Sequence, residues 1–159
     1  TSRPFMGICL GMQLLMSESF EFGHHLGLNI IPGSVVRFGD QRDKSRAVFK
    51  VPQVGWNRIF SFGDSVDKSW VDTFLQGLSE GEFMYFVHSY YVIPSDASVC
   101  LSISRYEDIE FCSSLKYNRI FACQFHPERS GPKGLEVYKN FKRIVNKDYD
   151  SSQKYTGTI

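Results

Sequence analysis

The feature that most constrains this chain is the segment Gly7-Ile8-Cys9-Leu10-Gly11, in which a cysteine lies between two glycines. An apolar, strand-like stretch (residues 4–8) precedes it, and a helical pattern (residues 10–20) follows it. Where a strand passes sharply into a helix, the residue at the turn is held above the sheet, and nearby glycines leave room for the turn. The segment therefore predicts a strand-turn-helix unit that presents the Cys9 thiol.

Two interpretations of Cys9 are open at this point. In the first, the N–H groups and positive dipole end of the helix face the sulfur and lower the thiol pKa, and the Leu10 N–H serves as one oxyanion donor. In the second, Cys9 is a small buried residue in a glycine-rich turn. The segment alone does not decide between them.

The segment Gln124-Phe125-His126-Pro127-Glu128 favours the first interpretation. A thiol nucleophile needs a base, and the base needs an acceptor that orients it. In an extended strand end, residues two apart point to the same side, so we expect His126 and Glu128 to hydrogen-bond near the sheet edge where Cys9 projects. Taken alone the pair is typical of a solvated surface turn. Together with Cys9 it predicts a Cys-His-Glu triad.

The rest of the pattern predicts one α/β domain over residues 1–147 and a polar C-terminal tail over residues 148–159. Aromatic and β-branched runs predict strands, and helical periodicity predicts two further helices. The predicted strands are residues 26–31 and 34–38, which would form a hairpin, and residues 83–92, 98–106, 109–115 and 119–125. The predicted helices are residues 67–78 and a segment that begins at Pro132; residues 51–57 are predicted as a loop.

Charge and composition exclude several classes of function. Eighteen Lys and Arg stand against 17 Asp and Glu and are scattered, so no nucleic acid or membrane surface is predicted as a partner. The four cysteines have no paired spacing, which predicts reduced thiols in a cytoplasmic protein, with Cys100, Cys112 and Cys123 as small hydrophobic residues. No metal-ligand spacing or phosphate-binding glycine loop is found, so neither a metal nor an organic cofactor is predicted.

Four blocks of sequence together resemble a known family. They are residues 4–15 (PFMGICLGMQLL), 51–57 (VPQVGWN), 86–91 (FVHSYY) and 124–130 (QFHPERS). In this order they resemble the glutaminase subunits of imidazole glycerol phosphate synthases, a branch of the class I triad glutamine amidotransferases. The resemblance implies a flavodoxin-like three-layer sandwich with a mixed, mostly parallel sheet. It also implies a heterodimer with a (β/α)8 cyclase, which receives ammonia released from glutamine.

The resemblance assigns roles to individual residues. Cys9 matches the nucleophile, His126 the general acid and base, and Glu128 the carboxylate that orients the histidine. Gln13, together with backbone groups of Ser89 and Tyr90, matches the positions that hold the amino-acid end of glutamine.

Three further residues, Trp56, Asn57 and Arg129, match segments near the cyclase interface. His88 is interpreted instead as a strand histidine with satisfied hydrogen bonds.

The sequence departs from the family pattern in two places. The chain begins directly before the strand that leads to Cys9, so we expect it to lack an N-terminal segment that supplies a second oxyanion donor. The loss of one such donor typically lowers the rate about a hundredfold to a thousandfold. Gln53 occupies a position where the family often has histidine, which bears on the partner contacts.

Three alternatives remain on the sequence alone. A paralogue that supplies ammonia for amidino sugars of surface glycans shares the same chemistry and the segments FEFG (residues 20–23) and GLEVYKNF (residues 134–141). A cysteine peptidase or γ-glutamyl hydrolase could use the same triad. A catalytically silent subunit could stabilise a synthase partner.

Overall fold

A computed structural model of the chain describes residues 3–39, 50–63 and 70–155, with side chains as far as residue 147. The described strands are β1 (Phe5–Ile8), β2 (Glu18–Ser19), β3 (His25–Leu26), β4 (Gly33–Arg37), β5 (Gln53–Ser61), β6 (Glu82–His88), β7 (Tyr90–Pro94), β8 (Cys100–Tyr106), β9 (Ile109–Tyr117) and β10 (Ile120–Cys123). The α-helices are α1 (Leu10–Gln13) and α2 (Gly131–Tyr155), and short 3-10 turns span Ala97–Val99 and Pro127–Arg129. None of these helices is long and apolar enough to span a membrane.

The strands form one mixed sheet. Along its main path the order is β3-β2-β4-β7-β9-β8-β5-β6, and β10 joins the sheet through β9 and carries β1 on its other edge. Among the described pairings, β1–β10 and β2–β4 are parallel and the others are antiparallel. The α/β class and the mixed sheet predicted from the sequence are confirmed.

The side chains of β10 alternate between two hydrophobic clusters. Ile120 and Ala122 belong to the hydrophobic cluster that contains Met12 of α1. Phe121 belongs to the other cluster, which contains Val137 of α2. Because strand side chains alternate in direction, α1 and α2 pack on opposite faces of this part of the sheet. β1 and β10 are parallel neighbours, so Cys9 and His126, which follow them in the chain, lie toward the same edge of the sheet.

The expectation of a mostly parallel sheet is wrong for the described residues. Parallel neighbours need a crossover connection of a dozen or more residues, whereas short turns connect β8 to β9 and β9 to β10. β8, β9 and β10 therefore alternate in direction, whereas β6 and β7, separated only by Ser89, run in the same direction and pair with different strands. The predicted hairpin of residues 26–31 and 34–38 is also wrong, since β4 pairs with β2 and β7 instead.

Two predicted helices are not formed as expected. The helix after Cys9 ends at Gln13, because the carbonyls of Leu14 and Leu15 accept hydrogen bonds from Leu28 and Ile30 rather than from a continuing helix. Residues 70–78 form a series of turns. They bury Trp70, Phe74 and Leu78 as the helical spacing predicted, but Asp72 has a φ of 54° and interrupts the helix. Residues 67–69 of that predicted helix lie outside the described ranges.

The predicted loop over residues 51–57 is largely strand β5. In β5 the polar Gln53 is buried while Val54 and Trp56 are exposed, so the usual alternation of buried apolar and exposed polar residues is reversed. A sequence pattern that assumes the usual alternation misses such a strand. Helix α2 also continues to Tyr155, so part of the segment predicted as a tail is helical.

Candidate active site

Cys9 lies at a strained turn between β1 and α1. Its backbone has φ 50° and ψ −106°, a conformation rarely adopted by residues other than glycine, and its N–H donates to the Cys123 carbonyl at 2.8 Å. A Cβ atom on Gly7 would lie 2.9 Å from the carbonyl carbon and oxygen of Gly11, whereas a Cβ on Gly11 would meet nothing within 4 Å. The predicted strand-turn-helix unit is formed, and the glycine that leaves room for it is Gly7.

His126 and Glu128 form a hydrogen-bonded pair. The Nδ1 atom of His126 lies 2.6 Å from Oε1 of Glu128, and Tyr138 donates to the other carboxylate oxygen at 3.3 Å. Because a carboxylate only accepts, Nδ1 carries the proton and Nε2 is left to accept one. Nε2 is buried and has no hydrogen-bond partner among the described residues. The pair lies at the 3-10 turn Pro127–Arg129, so the predicted strand-end geometry is wrong although the predicted contact is present.

The backbone of His126 is held firmly beside β6. Its N–H donates to the Tyr85 carbonyl at 2.8 Å, and its carbonyl accepts from the Ser130 hydroxyl at 2.7 Å. The Tyr85 N–H in turn donates to the same hydroxyl oxygen at 2.9 Å. This closed set of bonds fixes the imidazole relative to the sheet.

The pKa of the Cys9 thiol is shifted in the opposite direction to the one expected from the sequence. Burial raises the pKa of the Cys9 thiol; the nearby charge of Glu128 adds to this, and hydrogen bonds from the Leu10 N–H and Gln124 only partly oppose it. The prediction of a lowered thiol pKa is therefore wrong, and Cys9 is protonated at neutral pH. For Glu128, burial acts to raise the pKa, but hydrogen bonds from its own N–H, His126 and Tyr138 outweigh burial and lower it.

Two glutamine side chains connect the thiol to β7. Nε2 of Gln124 donates to the Cys9 sulfur at 3.4 Å, while its Oε1 accepts from Gln13 at 3.1 Å. Nε2 of Gln13 also donates to the Tyr90 carbonyl at 3.0 Å. The structure thus brings together Cys9, Gln13 and Tyr90, which the sequence predicted, and adds Gln124. Gln124 lies in the QFHPE segment, but the side chain that contacts Cys9 carried no signal of its own.

A cavity of about 290 Å³ opens beside this network. Its polar lining residues include Gln13, Glu21 and His25, and the remaining lining residues are Leu10, Leu14, Ser19, Phe22, Leu26 and Gly27. Glu21 is close enough to the thiol for its charge to contribute to the raised pKa of Cys9. Glu21 was not predicted as a site residue, since no motif distinguishes it from a solvated acid.

Ser89 lies between β6 and β7, and Tyr90, the first residue of β7, contacts Gln13. The carbonyl of Ser89 accepts from the Phe38 N–H at 3.0 Å, and the carbonyl of Tyr90 accepts from both Gln13 and His88. His88 is buried and hydrogen-bonded at both ring nitrogens, as the sequence predicted. The carbonyls of Ser89 and Tyr90 are therefore used within the protein.

The predicted partner residues do not share one face. Trp56 is 56% exposed and meets the Tyr85 ring edge-on at 6.0 Å, and Arg129 lies 4.2 Å over the same ring. Asn57 lies on the opposite face of β5 and bonds to the Arg105 carbonyl at 2.8 Å. Trp56, Tyr85 and Arg129 define what we call the aromatic face. In the part of the chain that the structure describes, no group of three or more His, Cys, Asp or Glu residues could hold a metal ion.

Comparisons with known proteins identify the family of this chain and a structure with a similar fold. The family model described as glutamine amidotransferase class-I matches residues 1–144, and the chain belongs to this family. A putative GMP synthase protein from Thermoplasma acidophilum has a similar fold, with a TM-score of 0.62 and 20% identity, over 97% of this chain and 62% of that one.

Among curated relatives, the chain is similar to the imidazole glycerol phosphate synthase subunits HisH. It is 50% identical over 141 residues to the HisH of Syntrophotalea carbinolica, covering 89% of this chain and 65% of that protein. It is 43% identical over 145 residues to the HisH of Aquifex aeolicus, covering 91% of this chain and 63% of that protein. The chain thus spans slightly less than two thirds of the length of these relatives.

Proposed function

We propose that this chain hydrolyses the side-chain amide of glutamine with Cys9, His126 and Glu128 and delivers the ammonia to a cyclase subunit that makes imidazole glycerol phosphate. The observation that carries the proposal is the state of the His126 ring. The protonated Nδ1 donates to Glu128, and the buried Nε2 has no hydrogen-bond partner among the described residues. Such a nitrogen is suited to take a proton from a thiol or a water molecule.

The raised pKa of Cys9 determines how the first step must begin. A neutral thiol is a weak nucleophile, so His126 Nε2 removes its proton as the sulfur attacks the amide carbon of glutamine. The Leu10 N–H acts to lower the pKa of the Cys9 thiol, and we expect it to stabilise the oxyanion that forms. The imidazolium then gives its proton to the leaving nitrogen, and ammonia departs from a γ-glutamyl thioester.

The second step returns the enzyme to its starting state. His126 Nε2 takes a proton from water, and the hydroxide attacks the thioester carbon. The C–S bond breaks, glutamate leaves, and the imidazolium returns its proton to the Cys9 sulfur. Glu128 stabilises the imidazolium in both steps because its lowered pKa keeps it ionised.

The cavity beside Gln13 suits the amino-acid end of glutamine. Both N–H groups of Gln13 are used by Tyr90 and Gln124, so its Oε1 is the atom left to accept from an α-ammonium group. Glu21 supplies a negative charge in the same cavity. Because an ionised carboxylate only accepts, any backbone contact that Ser89 and Tyr90 make to the α-carboxylate would use their N–H groups.

The aromatic face supports the proposed protein partner. Trp56 is large, exposed and held in place by Tyr85, and aromatic and arginine side chains are enriched at the centres of protein interfaces. The Tyr85 carbonyl also accepts a hydrogen bond from the His126 N–H, so the backbone of Tyr85 joins the aromatic face to the proposed catalytic base. A (β/α)8 cyclase docked here, in the cytoplasm, would receive ammonia close to where it is released.

The first test is labelling with a diazo-ketone analogue of glutamine, read by mass spectrometry of the intact chain. We expect a single adduct on Cys9 that free glutamine prevents. Cys9→Ala should abolish it, and the matched control Cys100→Ala should not. Equal labelling of several cysteines, or no protection by glutamine, would contradict the proposal.

The ammonia acceptor needs a separate test. With the cyclase added, we expect the ribosyl-carboxamide nucleotide intermediate of histidine synthesis to stimulate glutaminase turnover. Stimulation only by a synthase of amidino-sugar formation would leave the glutaminase part of the proposal intact and replace the acceptor.

A further inference from the structure

Two buried side chains, Gln53 and His88, are hydrogen-bonded to each other, and His88 also contacts the Tyr90 carbonyl to which Gln13 donates. The two residues face each other across β5 and β6. The His88 ring lies 2.8 Å from the Tyr90 carbonyl oxygen through Nδ1 and 2.9 Å from Oε1 of Gln53 through Nε2. Both side chains are at most 5% exposed.

The ring cannot donate from both nitrogens. Burial among aromatic rings and the nearby charge of His126 when protonated lower the pKa of His88 to about 4, although the Tyr90 carbonyl acts to raise it. At pH 7 about one molecule in a thousand would carry the second proton on that basis. A neutral imidazole has one N–H.

The identity of the partners decides which nitrogen carries that proton. The Tyr90 carbonyl has no proton to give, so the 2.8 Å contact requires the proton on Nδ1. Nε2 then accepts, and its partner must be a donor. The amide of Gln53 meets this requirement when it is turned by half a rotation, so that its NH2 group rather than Oε1 faces the ring; the two ends of an amide have the same shape.

From the Tyr90 carbonyl onward, every hydrogen bond has a fixed direction. The carbonyl accepts from Gln13 Nε2 as well as from His88. The same Gln13 nitrogen donates to Oε1 of Gln124, which leaves Nε2 of Gln124 to donate to the Cys9 sulfur. If the carbonyl moves, Gln13 moves, and both the substrate cavity and the thiol contact change with it.

We propose that His88, held by the amide N–H of Gln53 with its single proton on Nδ1, is a positioning residue that fixes the Tyr90 carbonyl and thereby orients Gln13 and Gln124 at Cys9. The proposal rests on the glutaminase function proposed above. It assigns a role to Gln53 that a carboxylate at this position could not perform, since an ionised carboxylate has no proton to donate. A histidine at position 53 could perform it, because its ring N–H can donate.

The first test reads the ring directly. In the ¹⁵N NMR spectrum of the full chain at pH 7, we expect the His88 signals of a neutral ring with Nδ1 protonated and Nε2 unprotonated. A ring protonated on Nε2 alone, or on both nitrogens, would overturn the proposal.

The second test uses two amide variants that each keep one of the two contacts. The amide nitrogen of His88→Asn occupies the place of Nδ1 and can still donate to Tyr90, whereas His88→Gln reaches the place of Nε2 and Gln53. We expect His88→Asn to label at Cys9 within about threefold of the unmodified chain. We expect His88→Gln to label about tenfold more slowly at low diazo-ketone concentration, mainly through a higher half-saturation concentration.

Equal labelling of the two variants would overturn the proposal. If neither variant folds, as judged by thermal unfolding, the NMR result on the unmodified chain decides. Failure of the glutaminase function would appear differently, as a lack of glutamine-protected labelling in the unmodified chain, and the ring protonation would still be measurable.

Discussion

The close approach of β1 to α1 leads to a sharp prediction for Gly7→Ala. The new Cβ would lie 2.9 Å from the Gly11 carbonyl carbon and oxygen and 3.2 Å from the Met12 nitrogen. All three are backbone atoms, so no flexible side chain can move aside. The strand and helix must separate by about half an ångström to restore ordinary contact, and such overpacking typically costs about 1–3 kcal/mol.

Gly11→Ala is the matched control. A Cβ at Gly11 meets nothing within 4 Å, and its φ is not positive. Gly11 lies within α1, where alanine is favoured over glycine by about 0.5–1 kcal/mol. The two substitutions therefore add the same methyl group four residues apart and should change stability in opposite directions.

Urea unfolding of both variants measures the difference. With a typical slope of about 1–3 kcal/mol per molar urea, we expect the midpoint of Gly7→Ala to fall by roughly 1 M and that of Gly11→Ala to stay level or rise slightly. Gly7→Ala should also slow diazo-ketone labelling of Cys9, since the displaced helix carries Leu10 and Gln13. Equal midpoints for the two variants would refute the reasoning.

Three further predictions follow from the site. The pKa of His88 is about 4 in the fold against 6.5 for a free side chain, so the unfolded chain takes up a proton at this residue first as pH falls. From pH 7 to pH 4 this should lower the free energy of unfolding by about 3 kcal/mol. Urea unfolding measured at several pH values should show that His88→Asn lacks this component. Glu128→Gln should lower glutaminase turnover about a hundredfold or more. Tyr138→Phe removes only the 3.3 Å hydrogen bond from the Tyr138 hydroxyl to Glu128, so its turnover should stay within about threefold of the unmodified chain. Similar losses in the two variants would contradict the assigned roles. Trp56→Ala should weaken cyclase binding about thirtyfold in calorimetry, while the free energy of unfolding of the isolated chain changes by less than about 0.5 kcal/mol. Val71→Ala, a control at another exposed residue, should change neither quantity. Unchanged affinity for Trp56→Ala would exclude the aromatic face as the docking surface.

Local features of the site were predictable from the sequence. The sharp turn at Cys9 depends on residues that are neighbours in the chain. The contact between His126 and Glu128 likewise joins residues that are only two positions apart. The buried positions of Trp70, Phe74 and Leu78 were also correct, because their spacing reports which side faces the core even where no helix forms. In each case the determining interactions lie within one or two turns of chain.

Strand direction and the polarity of β5 were not predictable in this way. The sequence of β5 carries Gln53 where an inward apolar residue is expected and Trp56 where an outward polar one is expected. The reversal follows from contacts on both faces, one with His88 and the other with Tyr85. Neither contact can be read from the strand itself.

The sequence by itself determined the sharp turn that presents Cys9 and the contact between His126 and Glu128, because both depend on residues that are close together in the chain. Only the tertiary structure decided the protonation of Cys9 and the chain of hydrogen bonds that reaches it. Burial raises the thiol pKa, and burial is a property of the whole fold. The bonds from Gln13 to Tyr90 and to Gln124, and from Gln124 to Cys9, join residues 77, 111 and 115 positions apart, so no local pattern could have placed them.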